Sequence, residues 1–226
     1  MTAPVPVPAP ALLTSSLEAG PDRASAAWLH DALRRLAADP GALAVLFPAA
    51  GRACGHRRLP EPPPGAEGWT AADAARALLL LAVPAADGQR LAEAEACYRY
   101  GDAAERVAVL RALPLLGVGD GAVGLVEDAL RTHDTRLLAA AVGPYARRHL
   151  DQALWRDAVL KCLFTGVPLS AVADLHERAD RELRVMLTAL VREREAAGRP
   201  APPEALALLT PADVASHRPV TLRGKE

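Results

Sequence analysis

Two basic side chains lie in strongly apolar stretches of the sequence. Lys161 is surrounded by Val, Leu, Cys and Phe, and a lysine in apolar surroundings can lose its proton and act as a base or form a Schiff base. Arg76 lies in a run of Ala and Leu, where it could bind an anion. Each has an acidic neighbour at helical spacing, Asp157 for the lysine and Asp73 for the arginine. The sequence favours these two ordinary ion pairs over an active role.

Metal ligands and activated nucleophiles are sparse. Cys54 and His56 form a single Cys-x-His, which is too little for a zinc site, and the other histidines are scattered. The chain has no Gly-x-Ser-x-Gly elbow, and Cys162 falls inside an apolar helix, where a buried thiol is expected. The glycines of residues 117–124 join two helices, whereas a phosphate loop follows a strand. The sequence therefore predicts no metal, no cofactor and no catalytic residue.

The composition favours helices and a cytoplasmic protein. Of the 226 residues 51% are hydrophobic, mainly Ala and Leu, and only 4% are aromatic. The net charge of −1 gives no overall attraction to nucleic acid. The longest apolar run, 77–86, is about half of what a membrane crossing needs, so no membrane insertion is expected. Three distant cysteines fit a reducing compartment better than a disulfide framework.

Helical periodicity predicts an all-α chain of packed helix pairs. Two helix starts carry the spacing of a capping box, at Thr70 with Asp73 and at Asp102 with Glu105. The helix after Thr70 is apolar on nearly every side and should lie at the centre of the fold. Helices and tight turns alternate over 102–143, which is typical of a HEAT-like α-solenoid, although no second copy of a repeat can be identified.

We expect one helical domain between two tails. Residues 1–20 alternate Pro with small residues and predict a disordered tail. Residues 21–209 form the all-helical domain, and 210–226 lack an apolar period and predict a flexible tail.

Within the domain, residues 48–68 are rich in Pro and Gly and predict a long surface loop. The loop carries a basic cluster of Arg52, His56, Arg57 and Arg58. A loop of this length inside a compact protein is usually either functional or disordered.

Five segments, in the right order, resemble the EboA family. They are GWTAADAARALLLL (68–81), ALPLL (112–116), PY (144–145), WRDAVLKCLFTGVPL (155–169) and ERADRELRVMLTALVREREAAGR (177–199). None of them is a catalytic signature. The chain also departs from the family pattern, because Gly143 and Ala146 flank the Pro-Tyr pair where the family tends to have Asn and Pro. His176 and Asp180 likewise stand where the family tends to have Asp and Asn.

The resemblance implies an all-helical accessory protein of a bacterial natural-product gene cluster. Such a protein is encoded beside a UbiA-like membrane prenyltransferase, a TatD-like hydrolase and a sugar-phosphate cyclase. These three are its expected partners, together with a small-molecule precursor that the cluster moves from cytoplasm to periplasm. The resemblance supplies no catalytic residues. It places the protein in the cytoplasm, or at the inner membrane through a partner.

The resemblance also directs attention to a set of aromatic and basic residues. As an accessory or scaffold, the protein could bind partners or a metabolite in a groove lined by Tyr145, Trp155, Lys161 and Arg178. Alternatively, the two aromatic residues belong to the core.

Two other functions remain open. An enzyme acting on an isoprenoid or sugar-phosphate-derived precursor could hold phosphate through Arg76, Lys161 and Arg178. The chain lacks the Asp-Asp-x-x-Asp run with which helical prenyl-transfer enzymes bind Mg²⁺, which disfavours this function. The third function is a generic HEAT-like interaction module.

Overall fold

The computed structural model describes residues 6–20, 23–210 and 213, and in these ranges the fold is all-α, as predicted. The β-type contact in these residues is a single bridge between Arg58 and Thr70. The helices are α1 (Pro10–Glu18), α2 (Arg23–Ala38), α3 (Leu43–Cys54), α4 (Ala71–Ala82), α5 (Gln89–Tyr100), α6 (Ala103–Leu116), α7 (Val123–Arg131), α8 (Thr135–Ala141), α9 (Pro144–His149), α10 (Gln152–Thr165), α11 (Leu175–Arg178), α12 (Arg181–Ala196) and α13 (Pro203–Leu208).

Helix α4 lies at the centre of the fold, as its apolar sequence predicted. It packs against α1, α2, α3, α5 and α6, and every residue from Ala72 to Leu80 is buried. Its first turn carries the predicted capping box: the Asp73 amide donates to Thr70 Oγ1 over 3.1 Å, and the Thr70 amide donates to Asp73 Oδ2 over 2.8 Å. The solenoid-like stacking of helix pairs stays a prediction.

Removing this cap tests its contribution to stability. Thr70→Ala leaves the Asp73 amide without its acceptor, and we expect the free energy of unfolding to fall by about 1 kcal/mol in urea denaturation. Thr14→Ala is the control, because that exposed hydroxyl bonds only to the Pro10 carbonyl of its own helix, and it should change stability by less than about 0.5 kcal/mol. Equal losses in the two variants would show that the cap contributes nothing.

The predicted disordered tail is wrong for residues 10–18, which form α1. Pro10 occupies the first turn, where a helix needs no backbone donor, and the following eight residues contain no proline. Leu13 and Leu17 are buried, and α1 packs against α4, so the helical body begins before residue 21. The prediction for residues 1–5 lies outside the described residues, as does most of the predicted flexible tail.

The predicted loop at 48–68 also begins later than expected, because α3 continues through Pro48 to Cys54. The residues that follow, 55–70, are called the basic loop below. The basic loop is held by backbone hydrogen bonds from the Leu59 amide to the Trp69 carbonyl, 2.9 Å, and from the Ala71 amide to the Arg57 carbonyl, 3.0 Å. These bonds join the two ends of the basic loop, so its backbone has a defined conformation.

Candidate functional site

Trp155 and Arg178, two of the five predicted site residues, are in direct contact. The Trp155 side chain is fully buried in α10, and the Arg178 guanidinium lies over its ring, 5.0 Å from the centroid. Arg178 also donates to the Ala146 carbonyl over 2.9 Å and to Gln152 Oε1 over 2.9 Å. Its further acceptors are the carbonyls of Arg147 and Leu150. Arg178 thus caps the carboxyl end of α9, and burial lowers its pKa.

Tyr145 joins α9 to the turn between α6 and α7. Its hydroxyl donates to the Gly119 carbonyl over 2.7 Å and accepts from the Ala122 amide over 3.0 Å. The side chain is buried, and burial raises its pKa. Tyr145 and Trp155 are therefore core residues, which is the second of the two alternatives left open above. A ligand-binding role for them stays a prediction.

Lys161 does not form the predicted ion pair with Asp157 in the part of the chain that the structure describes. Its ammonium group donates instead to the Leu130 carbonyl in the last turn of α7. The carbonyls of a helix end lack partners within their own helix, so a basic group from a neighbouring helix satisfies one of them. Lys161 therefore joins α10 to α7 and does not pair with Asp157 within its own helix.

Arg76 is buried, with 2% of its side chain exposed, and its predicted pairing with Asp73 is wrong. Its Nε donates to the Phe47 carbonyl over 3.1 Å, and its Nη2 donates to Glu105 Oε1 over 3.2 Å. Asp73 closes the capping box of α4 and accepts from Arg111 Nη1 over 2.6 Å. The capping box holds Asp73 at the start of α4, so Arg76 pairs instead with Glu105 on α6.

The three predicted cations do not share a site. Arg178 lies with Trp155 at the end of α9, Lys161 contacts the end of α7, and Arg76 contacts α3 and α6. Each cation donates to acceptors of its own chain, so the arrangement that the enzyme hypothesis requires is not formed here.

A groove on another face of the molecule combines an aromatic ring with a partly exposed arginine. Its cavity of about 270 Å³ lies between the end of the basic loop, α6, the α8–α9 turn and residues 170–171. We call it the Trp69 groove. Its walls include Trp69, Leu110, Arg111, Pro114, Pro144 and Ala171.

Segments that are distant in the sequence meet at this groove. Trp69 comes from the GWT run, Pro114 from ALPLL and Pro144 from the Pro-Tyr pair. Ser170 and Ala171 directly follow the run WRDAVLKCLFTGVPL. Four of the five segments that carry the resemblance to the EboA family therefore contribute to the groove or lie next to it.

The groove has the chemistry of a site for a small polar molecule with an apolar part. Trp69 lines the groove although only 5% of the residue is exposed, and the Arg111 side chain is 27% exposed. Asp73 occupies one guanidinium nitrogen of Arg111, and the other nitrogens have no acceptor among the described residues. Glu67 is exposed, and its Oε2 accepts from the Gly65 amide over 3.0 Å. A ligand hydroxyl or carboxylate could accept from the remaining guanidinium donors.

Sequence reasoning did not select Trp69 or Arg111 as site residues. Trp69 stands in the first of the segments that resemble the family, which was the available signal. Arg111 directly precedes the ALPLL run and carries no signal of its own. Its role follows only from the packing of α6 beside the start of α4, where it meets Asp73.

Two thiols, one fully buried and one half-buried, have raised pKa values. Cys162 is fully buried, as predicted, and burial raises its pKa to about 11. Burial, with Glu93 and Glu105 nearby, raises the pKa of Cys97 to about 12. Neither thiol is a thiolate at neutral pH.

Two features are absent from the described residues. No group of three or more His, Cys, Asp or Glu side chains in these ranges is placed to hold a metal ion. No helix in the same ranges combines the length and apolarity needed to cross a bilayer.

Comparison with known families confirms the resemblance found in the sequence. The family model described as "Metabolite traffic protein EboA" matches residues 63–210, which is well over half of the chain. Apart from Pro8, every residue that lines the Trp69 groove falls within this match. Comparison with curated proteins and with solved structures returns no match.

Proposed function

The chain belongs to the EboA family of metabolite traffic proteins, and from that premise we propose that it is a non-enzymatic accessory protein that holds a small metabolite precursor in the Trp69 groove. The observation that carries the proposal is the meeting of three family segments at this groove, with the residues that directly follow a fourth. Residues far apart in sequence that surround one cavity with mixed aromatic and cationic chemistry are typical of a ligand site.

The predicted cations support an accessory role over phosphate chemistry. Arg178 donates to four acceptors of its own chain, and Arg76 donates to the Phe47 carbonyl and to Glu105. A phosphate bound at Arg178 would have to displace these acceptors and leave them unpaired, at about 1–3 kcal/mol for each buried group. A phosphate at Arg76 would have to reach a side chain of which only 2% is exposed. A ligand in the Trp69 groove would displace no such acceptor, because only Nη1 of Arg111 has an acceptor among the described residues.

The family resemblance also supports the wider assignment. The protein would act in the cytoplasm, beside a UbiA-like membrane prenyltransferase, a TatD-like hydrolase and a sugar-phosphate cyclase of the same cluster. It would present the precursor to the membrane partner for transfer from cytoplasm to periplasm.

Purification from cells that make the metabolite tests this function. We expect the tagged full chain to retain a small molecule, detected by liquid chromatography and mass spectrometry, and to co-purify with proteins of its cluster. Arg111→Gln removes the charged donor and also the cation that pairs with Asp73, so circular dichroism first checks that the variant folds. The folded variant should retain about tenfold less of the molecule, because a hydrogen bond to a charged group contributes about 1.5–3 kcal/mol.

The matched control is Arg131→Gln, which removes an exposed arginine on α7 that pairs with Asp128 outside the groove. It should retain the small molecule at the wild-type level. Recovery of neither a small molecule nor a cluster protein with the wild-type chain would contradict the accessory function. Equal retention by Arg111→Gln and by the control would contradict the assignment to the groove.

A further inference from the structure

A second cavity lies almost entirely outside the region of the family match. It measures about 430 Å³ and is bordered by α1, the start of α2, the end of α3 and the basic loop. Of its lining residues only Ala71 falls within 63–210. We call it the basic cavity, and we propose that it binds a phosphate group carried by a small metabolite or by a lipid headgroup.

The charges that line the cavity are all of one sign. His56, Arg57 and Arg58 line it, and the described lining residues include no Asp or Glu. All three side chains are exposed, and neither arginine pairs with an acid in the ranges that the structure describes. The whole chain has a net charge of −1, so this positive charge is a local feature. Such a concentration of unpaired cations attracts anions.

The backbone that carries these cations is held in place. Ser16 in α1 donates its hydroxyl to the Glu61 carbonyl over 2.7 Å, and the Ala72 amide donates to the Gly55 carbonyl over 3.1 Å. Leu17 and Leu59, which also line the cavity, are buried. The arginines therefore extend from an anchored segment, which lowers the entropy lost when a ligand is bound.

Phosphate is the anion that these side chains suit best. A guanidinium offers two parallel N–H donors that match two phosphate oxygens, and the neighbouring imidazole offers a further donor. The cavity is within the size range of small-molecule sites, so it has room for a phosphate and part of the molecule that carries it. The apolar side chains of Leu17 and Leu59 would contact that remainder.

Calorimetric titration of the full chain with inorganic pyrophosphate tests this proposal. We expect saturable binding that weakens about tenfold or more in the double variant Arg57→Gln/Arg58→Gln. The double variant Arg34→Gln/Arg131→Gln is the control, because it removes the same charge from two exposed arginines on α2 and α7. It should bind as the wild type does. Thermal unfolding by circular dichroism checks that both variants fold.

Flotation with vesicles distinguishes the two sources of phosphate. Vesicles of phosphatidylcholine are compared with vesicles that also contain phosphatidic acid. Binding of pyrophosphate without binding to the acidic vesicles supports a soluble ligand, and binding to acidic vesicles that the Arg57/Arg58 variant loses supports a lipid headgroup. The proposal would be overturned if the wild-type chain bound neither pyrophosphate nor acidic vesicles. It would also be overturned if the Arg57/Arg58 variant bound them as well as the control variant does. Neither assay depends on the Trp69 groove, so failure here is distinct from failure of the proposed function.

Discussion

Replacing Trp155 with alanine is expected to lower the free energy of unfolding by about 3–5 kcal/mol. The side chain is fully buried, and the Arg178 guanidinium lies 5.0 Å from its ring centroid. Truncation removes the burial of a large aromatic group and the surface on which Arg178 stacks. Urea denaturation followed by far-ultraviolet circular dichroism measures the change without depending on tryptophan fluorescence.

Trp28→Ala is the comparison variant for this prediction. Trp28 lies on α2 and is only partly buried, so the same substitution should cost clearly less. A loss at Trp155 no larger than the loss at Trp28 would mean that the contact between α10 and Arg178 does not stabilise the fold. Trp155 would then contribute no more to stability than a partly buried tryptophan does.

Replacing Arg76 with methionine is expected to cost about 3–5 kcal/mol, because it leaves Glu105 with a charge and no cation. The Glu105 side chain is only 12% exposed, so water solvates its negative charge poorly once the arginine is removed. Methionine keeps much of the volume of the arginine stem. The decrease in the free energy of unfolding therefore reports mainly on the missing charge of the guanidinium.

The double variant Arg76→Met/Glu105→Gln separates the charge from the packing. Glutamine at this position can still close the capping box with Asp102, which Glu105 closes in the structure. We expect the double variant to recover most of the stability lost by Arg76→Met, since a buried pair replaced on both sides is often nearly neutral. Additive losses in a double-mutant cycle measured by urea denaturation would contradict the buried pair.

Local sequence patterns predicted the central part of the fold. The capping boxes at Thr70 and Asp102 form as predicted, and the apolar α4 is surrounded by other helices. These features depend on residues within one or two turns of each other, so the sequence displays them directly.

A proline in the sequence does not always exclude a helix. Pro10 begins α1 and Pro48 lies inside α3, whereas the sequence predicts a disordered tail and a surface loop at these positions. In the first turn the missing amide costs nothing. At Pro48 the buried neighbours Leu46, Phe47 and Ala50 stabilise the helix through tertiary packing, which the local pattern does not contain.

Partners of the charged residues could not be predicted from spacing. Arg76 and Lys161 each had an acid at helical distance, yet they donate to Glu105 and to the Leu130 carbonyl, on helices distant in sequence. The Trp69 groove was missed for the same reason. Its walls come from five separate segments, one of them at Pro8, and their order in the sequence does not show how the helices bring them together.

Hydrogen exchange of the full chain tests the central claim, that the Trp69 groove is the metabolite site. The exchange of wild-type protein is compared with and without the small-molecule extract of cells that make the metabolite. We predict slower exchange in residues 65–71 and 139–143, which border the groove, and no such slowing in Arg111→Gln. Slowing at the end of α9 and in α11, around Arg178, with no change at the groove, would contradict the account.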